Sequence, residues 1–152
     1  MNEMDTALLR RAIALSVRAR DHGDAPYGAL LADASGHVLL EACNTQASGR
    51  DCTAHAELNL MRVASSRFTP AELASCTVYA SGEPCPMCAG AIYWAGVGRV
   101  VFGLSIERMT ALGGPQADEL ALHCAEVMAR GTQRRIEVVG PALEMEAQAV
   151  FE

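Results

Sequence analysis

Two short groups of metal-binding side chains constrain the fold of this chain most strongly. His55 and Glu57 flank one alanine, and Cys85 and Cys88 flank Pro86 and Met87. Imidazole nitrogen and thiolate sulfur are the ligands that Zn²⁺ prefers in proteins. A single ion bound by both groups requires a fold that brings residues 30 positions apart, His55 and Cys85, into contact.

Both groups are predicted to lie at the start of a helix. Pro86 suits the first helical position, with Cys85 as the N-cap, because the missing N–H of proline would have no partner there. The helix dipole and free N–H groups at that end favour the thiolate form of cysteine. Thr53 is predicted to cap a second helix that runs to about Ser66, and its dipole should favour neutral His55, the form that binds metal.

The remaining pattern predicts an α/β fold, a three-layer α/β/α sandwich on a mixed sheet of about five strands. A βαβ crossover between the two motifs would bring both helix N-termini to one edge of the sheet. The predicted elements are a helix capped by Asp5 or Thr6 and ending near Arg20, a hairpin of Gly28–Leu31 and Val38–Ala42, strands Thr77–Ala80, Arg99–Leu104 and Arg135–Val139, a helix Ala117–Arg130 and a terminal helix from Ala142.

Length and charge narrow the class of protein. A chain of 152 residues is expected to form one domain, residues 1–152. The net charge of −6 and the absence of a Lys/Arg-rich run argue against a polynucleotide partner, whose phosphates require basic residues. No apolar run has the length of a signal or a membrane span, so a cytoplasmic protein without a membrane partner is expected. In a reducing compartment, Cys-x-x-Cys indicates metal or redox chemistry rather than a disulfide.

The predicted metal set is one ligand short of a closed site. Cys52 and Cys43 are the candidates for a fourth ligand. If neither binds, water or hydroxide fills the fourth position, and Glu57 is near enough to take and return its proton. A structural zinc module used for interaction is the non-enzyme alternative, and it predicts four protein ligands.

The motifs resemble those of the cytidine deaminase-like superfamily of zinc deaminases, and most closely the branch of guanine deaminases and tRNA adenosine deaminases. The similarity covers most of residues 25–104. The matching segments are Pro26–Ala29, Asn44, Thr53–Glu57, Glu83–Ile92 and Arg99–Gly103.

This resemblance implies hydrolytic release of ammonia from an amino-substituted nucleobase ring. It implies one Zn²⁺ per chain, with a bound water or hydroxide, held by His55, Cys85 and Cys88. Glu57 would be the proton shuttle, while Asn44 and the backbone N–H of Ala56 would contact the base. Members of the superfamily are commonly homodimers, so a homodimer is expected.

Three of the residues expected to contact the substrate also have a second interpretation. Asn44 is also typical of a turn at a strand end. Tyr27 could stack on a base or pack beneath the loop, and Trp94 could contact substrate or serve core or dimer packing.

The choice of substrate is the most open expectation. Ile92–Ala95 resembles guanine deaminases, whereas Arg135–Val139 and the Glu-rich helix after it resemble the tRNA enzymes. The end of the chain is acidic, with Glu152 last, where the tRNA enzymes usually have a basic tail. We therefore expect a small base or nucleoside, a purine such as guanine, with tRNA adenosine, cytosine or cytidine as alternatives. Met109–Gly131 matches neither branch and is expected to shape the substrate pocket.

Overall fold

The computed structural model describes residues 1–152, and five strands form its one mixed sheet. The strands are β1 (Gly28–Ala32), β2 (Val38–Cys43), β3 (Thr77–Gly82), β4 (Arg99–Leu104) and β5 (Glu137–Val139). Their order across the sheet is β2-β1-β3-β4-β5. β1 is antiparallel to both β2 and β3, whereas β3, β4 and β5 are parallel. The predicted mixed sheet is confirmed.

Eight helices cover the sheet. They are α1 (Glu3–Asp21), α2 (Gln46–Gly49), α3 (Ala56–Arg67), α4 (Pro70–Leu73), α5 (Pro86–Ala95), α6 (Ile106–Gly113), α7 (Cys124–Ala129) and α8 (Glu144–Ala149), with a 3₁₀ turn at Gly114–Gln116. None of these helices combines the length and apolar character that crossing a bilayer requires.

The core lies on both faces of the sheet because successive strand side chains point to opposite sides. On β1, Ala29 and Leu31 pack with α3, α5 and α7, whereas Leu30 and Ala32 pack with α1, α6 and α8. All four of these residues are fully buried. The α/β/α layering predicted from the sequence is therefore confirmed, while its assignment to one domain stays a prediction.

The crossover between the two motifs runs from β2 through α3 to β3. β2 and β3 point the same way and are separated in the sheet by β1. α3 and α5 pack against each other on the same face. Their N-termini meet beside the carboxyl end of β3, as the spacing of the motifs predicts.

The first helix begins earlier than predicted. Asn2, rather than Asp5 or Thr6, is its N-cap, since the Asn2 side chain accepts from the Asp5 N–H at 2.8 Å and the Asp5 carboxylate accepts from the Asn2 N–H at 3.1 Å. This capping box extends the helix by one turn.

The prediction of one helix over Ala117–Arg130 is wrong. Only Cys124–Ala129 is helical there, and a separate helix, α6, precedes it. Gly114, with φ of 60°, and Pro115 lie in the turn after α6. At the start of α7, the His123 N–H donates to the Glu126 carboxylate at 3.3 Å. Residues 117–122, between these two signals, are not helical and lie near the carboxyl end of β3.

Candidate metal centre and active site

His55, Cys85 and Cys88 converge in space. The His55 Nδ1 atom lies 3.5 Å from each of the two Sγ atoms. Cys88 is fully buried, and the other two residues are half-buried. One imidazole and two thiols at this separation are a donor set that fits Zn²⁺.

Helix starts position these side chains. α5 begins at Pro86 with Cys85 as its N-cap, as predicted. α3 begins at Ala56, and its N-cap is His55 rather than the predicted Thr53. The Thr53 N–H and hydroxyl instead donate to Asp51 Oδ1 at 2.9 and 2.7 Å, which shapes the turn before the helix.

The two metal-binding groups also tune each other's protonation. Hydrogen bonding from Cys88 is the largest cause that lowers the pKa of the Cys85 thiol well below its usual value, and His55 adds to it. The hydrogen bond between Cys85 and His55 in turn raises the pKa of His55. The neighbouring sulfur therefore opposes the predicted effect of the helix dipole on the pKa of His55. A thiolate is the form that binds metal, so Cys85 is prepared for ligation.

No fourth cysteine or histidine joins this cluster. The Cys43 thiol donates to the Leu15 carbonyl at 3.3 Å, and Cys52 is exposed. Three protein ligands are typical of catalytic zinc sites, whereas structural sites have four. The fourth protein ligand that an interaction module requires is not brought to the site.

A cavity of about 200 Å³ lies directly beside the cluster. His55, Cys85, Asn44 and Tyr27 line it together with Glu57. Glu57 is only 5% exposed, and its burial raises the pKa of its carboxyl group to about 7. A carboxyl group in this range can both take up and release a proton near neutral pH.

The residues expected to contact the substrate differ in their position relative to the cavity and in their other contacts. Asn44 is buried, lines the cavity and also forms a turn, since its Oδ1 accepts from the Gln46 N–H at 2.9 Å. Tyr27 lines the cavity and packs edge-on against Phe151 at 5.6 Å between ring centres. Ala56 is the first residue of α3, where backbone N–H groups have no partner within the helix.

Trp94 lies apart from the cavity. Its side chain is 82% exposed and borders a surface groove with Leu58 and Met61 of α3. Its interpretation as core packing is wrong, and the structure does not bring it to the cavity of its own chain. Packing against a second chain stays a prediction.

Sequence reasoning missed several residues that line the cavity. They are Gln46, Gly82, Glu83, Met109, Asp118 and Glu119. Asp118 and Glu119 lie in the segment that matched neither branch and was expected to shape the pocket. The sequence could not predict that Asp118 and Glu119 line the cavity, because they lie in a stretch that was wrongly predicted to be helical.

Comparison with known proteins agrees with this geometry. The family model of the cytidine and deoxycytidylate deaminase zinc-binding region matches residues 2–104. The probable cytosine deaminase of Schizosaccharomyces pombe is 38% identical over 149 residues, which are 97% of this chain and 90% of that protein. The tRNA-specific adenosine deaminase of Haemophilus influenzae is 36% identical over 112 residues, 74% of this chain and 65% of that protein.

The fold matches as well. A guanine deaminase from Nitrosomonas europaea superposes with a TM-score of 0.79, at 24% identity, over 95% of this chain and 81% of that one. The family model and the curated relatives define the class as a hydrolytic deaminase that acts on C–N bonds. The chain belongs to the cytidine and deoxycytidylate deaminase family of zinc-binding proteins.

Proposed function

We propose that this protein hydrolytically deaminates a small amino-substituted nucleobase, with guanine as the first candidate, and releases ammonia. The observation that carries the proposal is the placement of a buried carboxyl group, Glu57, in one small cavity with His55 and Cys85. These are the groups that the reaction needs: a metal site, a proton carrier and room for a ring.

His55, Cys85 and Cys88 would hold one zinc ion per chain. Zinc, when bound, supplies the Lewis acidity that makes water nucleophilic at neutral pH. Glu57 would take a proton from the attacking water at its carboxylate and return it to the leaving amine. Because Glu57 lies in the first turn of α3, two residues after His55, its backbone is fixed relative to that metal ligand.

Asn44 and the N–H of Ala56 would orient the ring. The Asn44 amide donates to Gln46 Oε1 at 2.7 Å, so substrate binding would exchange this contact for one with the base. Tyr27 forms one wall of the cavity. These roles are part of the proposal.

The shape and charge of the cavity favour a free, neutral base. Its volume of about 200 Å³ is below the roughly 300–1,000 Å³ of pockets that hold drug-sized ligands. No Lys or Arg lines it, whereas Glu57, Asp118 and Glu119 do. Phosphate groups of nucleotides or tRNA would therefore find no cation at the cavity wall.

Cytosine is the second candidate substrate. The relative named as a probable cytosine deaminase matches nearly the whole chain, including the residues after β4 that shape the cavity. Deamination of tRNA adenosine is a weaker alternative for the electrostatic reason above.

A screen for ammonia release tests the proposal. Zinc-loaded protein is offered guanine, adenine, cytosine, their nucleosides and 5′-monophosphates, and tRNA. We expect the highest kcat/KM with a free base, guanine first. Fastest release from cytosine would select the second candidate, and release from tRNA alone, weakening steeply with salt, would contradict the free-base proposal. No release from any compound would also overturn it.

We further propose that two chains form a homodimer through the face around Trp94. Large exposed apolar side chains that border a groove are typical of interaction surfaces. Trp94 on α5 is such a side chain, since it is 82% exposed and borders a groove with the partly exposed Leu58 and the buried Met61 on α3. The expected cytoplasmic location also stays a prediction.

A further inference from the structure

One buried carboxylate joins both ends of the segment that completes the cavity. Glu83 follows β3, two residues before Cys85, and its side chain is 2% exposed. Its Oε1 accepts from the Ile106 N–H at 3.1 Å, at the start of α6. Its Oε2 accepts from the Cys124 N–H at 2.9 Å, at the start of α7. Residues 106–124 therefore form a loop closed on Glu83.

His123 reinforces this closure. Its Nδ1 lies 3.1 Å from Glu83 Oε2, and its Nε2 lies 2.8 Å from Glu107 Oε1 in the first turn of α6. The imidazole thus connects α6, α7 and the loop that carries Cys85. We name Glu83, Glu107 and His123 the segment clamp. Both Glu83 oxygens are already bonded to N–H groups, so the cluster is satisfied as a hydrogen-bond network.

The clamped segment supplies part of the cavity wall. Met109, Asp118 and Glu119 all lie between the two clamped ends. Between those ends, residues 117–122 have no helix or strand of their own. Leu120 and Leu122 are 68% and 41% exposed, so little apolar packing holds this stretch. Its position depends on its ends, because segments with few buried apolar contacts open at low free-energy cost.

We propose that His123 is a positioning residue, which holds Asp118 and Glu119 at a fixed distance from Cys85 and thereby sets the affinity for the substrate ring. The inference rests on the proposed function of the same cavity. His123 does not line the cavity itself, so it acts through the segment that it clamps. Groups that bond to metal ligands act in the same indirect way, and their removal typically costs roughly 10–100-fold in affinity or activity.

The experiment compares His123→Ala with His123→Asn. In the second variant, the side-chain amide can donate to Glu83 in place of the imidazole Nδ1. Kinetics of zinc-loaded protein are measured with the best base from the screen. We expect His123→Ala to raise KM about tenfold while kcat and zinc content stay near those of the wild type, and His123→Asn to recover most of the affinity. A merely structural role would not separate KM from kcat.

Hydrogen exchange gives a readout that needs no substrate. In His123→Ala, amides of residues 114–122 should exchange faster, with β3 and α5 unchanged. His37→Ala is the matched control, because His37 forms the same kind of contact, 3.1 Å to Asp33, in the β1–β2 turn away from the cavity. It should change neither exchange nor KM.

Two results would overturn the inference: unchanged exchange in 114–122 in His123→Ala, or unchanged KM despite faster exchange. If the wild type releases no ammonia from any base, the proposed function fails, while the exchange result still decides whether His123 holds the segment.

Discussion

At the scale of single residues, Asp5 is a buried, charged group that lies away from the cavity. Its side chain is 2% exposed and accepts from two Arg99 nitrogens at 2.7 and 3.0 Å and from the Tyr79 hydroxyl at 2.7 Å. The Arg99 hydrogen bonds are the largest cause that lowers the pKa of Asp5, and Tyr79 adds to them against the opposing effect of burial. The contact ties α1 to β3 and β4.

Asp5→Asn should therefore reduce stability in a pH-dependent way. The folded-state pKa lies below the unfolded value of about 3.9, so the contribution is complete above about pH 5 and is lost progressively as the pH falls towards the folded-state pKa. We expect the free energy of unfolding to drop by about 1–3 kcal/mol at pH 7 and its slope with acidification to flatten. Urea unfolding from pH 7 to 3 measures both quantities.

Asp21→Asn is the control for that measurement. Asp21 is an exposed carboxylate at the end of the same helix and pairs with Arg20 at 3.3 Å. Exposed pairs contribute at most about 1 kcal/mol, so this variant should behave nearly as the wild type. Parallel pH profiles for Asp5→Asn and the wild type would contradict the role given to Asp5.

The sequence predicted the part of the site whose residue types have a specific chemistry, the metal ligands. Imidazole and two thiols in motif spacing predicted the cluster of His55, Cys85 and Cys88 that the structure brings together. Asp118 and Glu119 could not be predicted, because a carboxylate in a sequence is equally typical of a solvated surface. Their place in the cavity depends on where Glu83 fixes the ends of their segment, which is a long-range contact.

At the scale of elements, local signals predicted most helix and strand positions. A short apolar run predicted β1, which is buried along its whole length, and proline after Cys85 predicted the start of α5. The predictions were wrong where two local signals competed. Thr53 and Asp5 are both residue types that often cap helices. Here Thr53 donates to Asp51 instead, and Asn2 caps α1 three residues before Asp5. For residues 117–130, the helix starts only at Cys124, where the His123 N–H donates to the Glu126 carboxylate.

At the scale of the whole molecule, the sandwich arrangement followed from the order of elements, whereas assembly could not be read from one chain. The proposed homodimer places the exposed Trp94 at the contact. Sedimentation velocity should give a dimer for the wild type and a shift towards monomer for Trp94→Ser.

Met145→Ser is the matched control for assembly, because Met145 is 87% exposed on α8, on the other face of the sheet. It should remain dimeric. A monomeric wild type, or a Trp94→Ser variant that stays fully dimeric, would contradict this interface.

The central claim is that Glu57 moves protons beside a zinc ion held by His55, Cys85 and Cys88. Zinc content and ammonia release, measured together on Glu57→Gln and Cys88→Ser with the best base from the screen, test it most directly. Cys52→Ser is the control, since Cys52 is exposed and outside the cluster.

We predict that Glu57→Gln keeps about one zinc per chain and loses at least roughly 100-fold in kcat. Cys88→Ser should lose both zinc and turnover, and Cys52→Ser should lose neither. Turnover at the wild-type rate in Glu57→Gln, or full zinc content and activity in Cys88→Ser, would contradict the account.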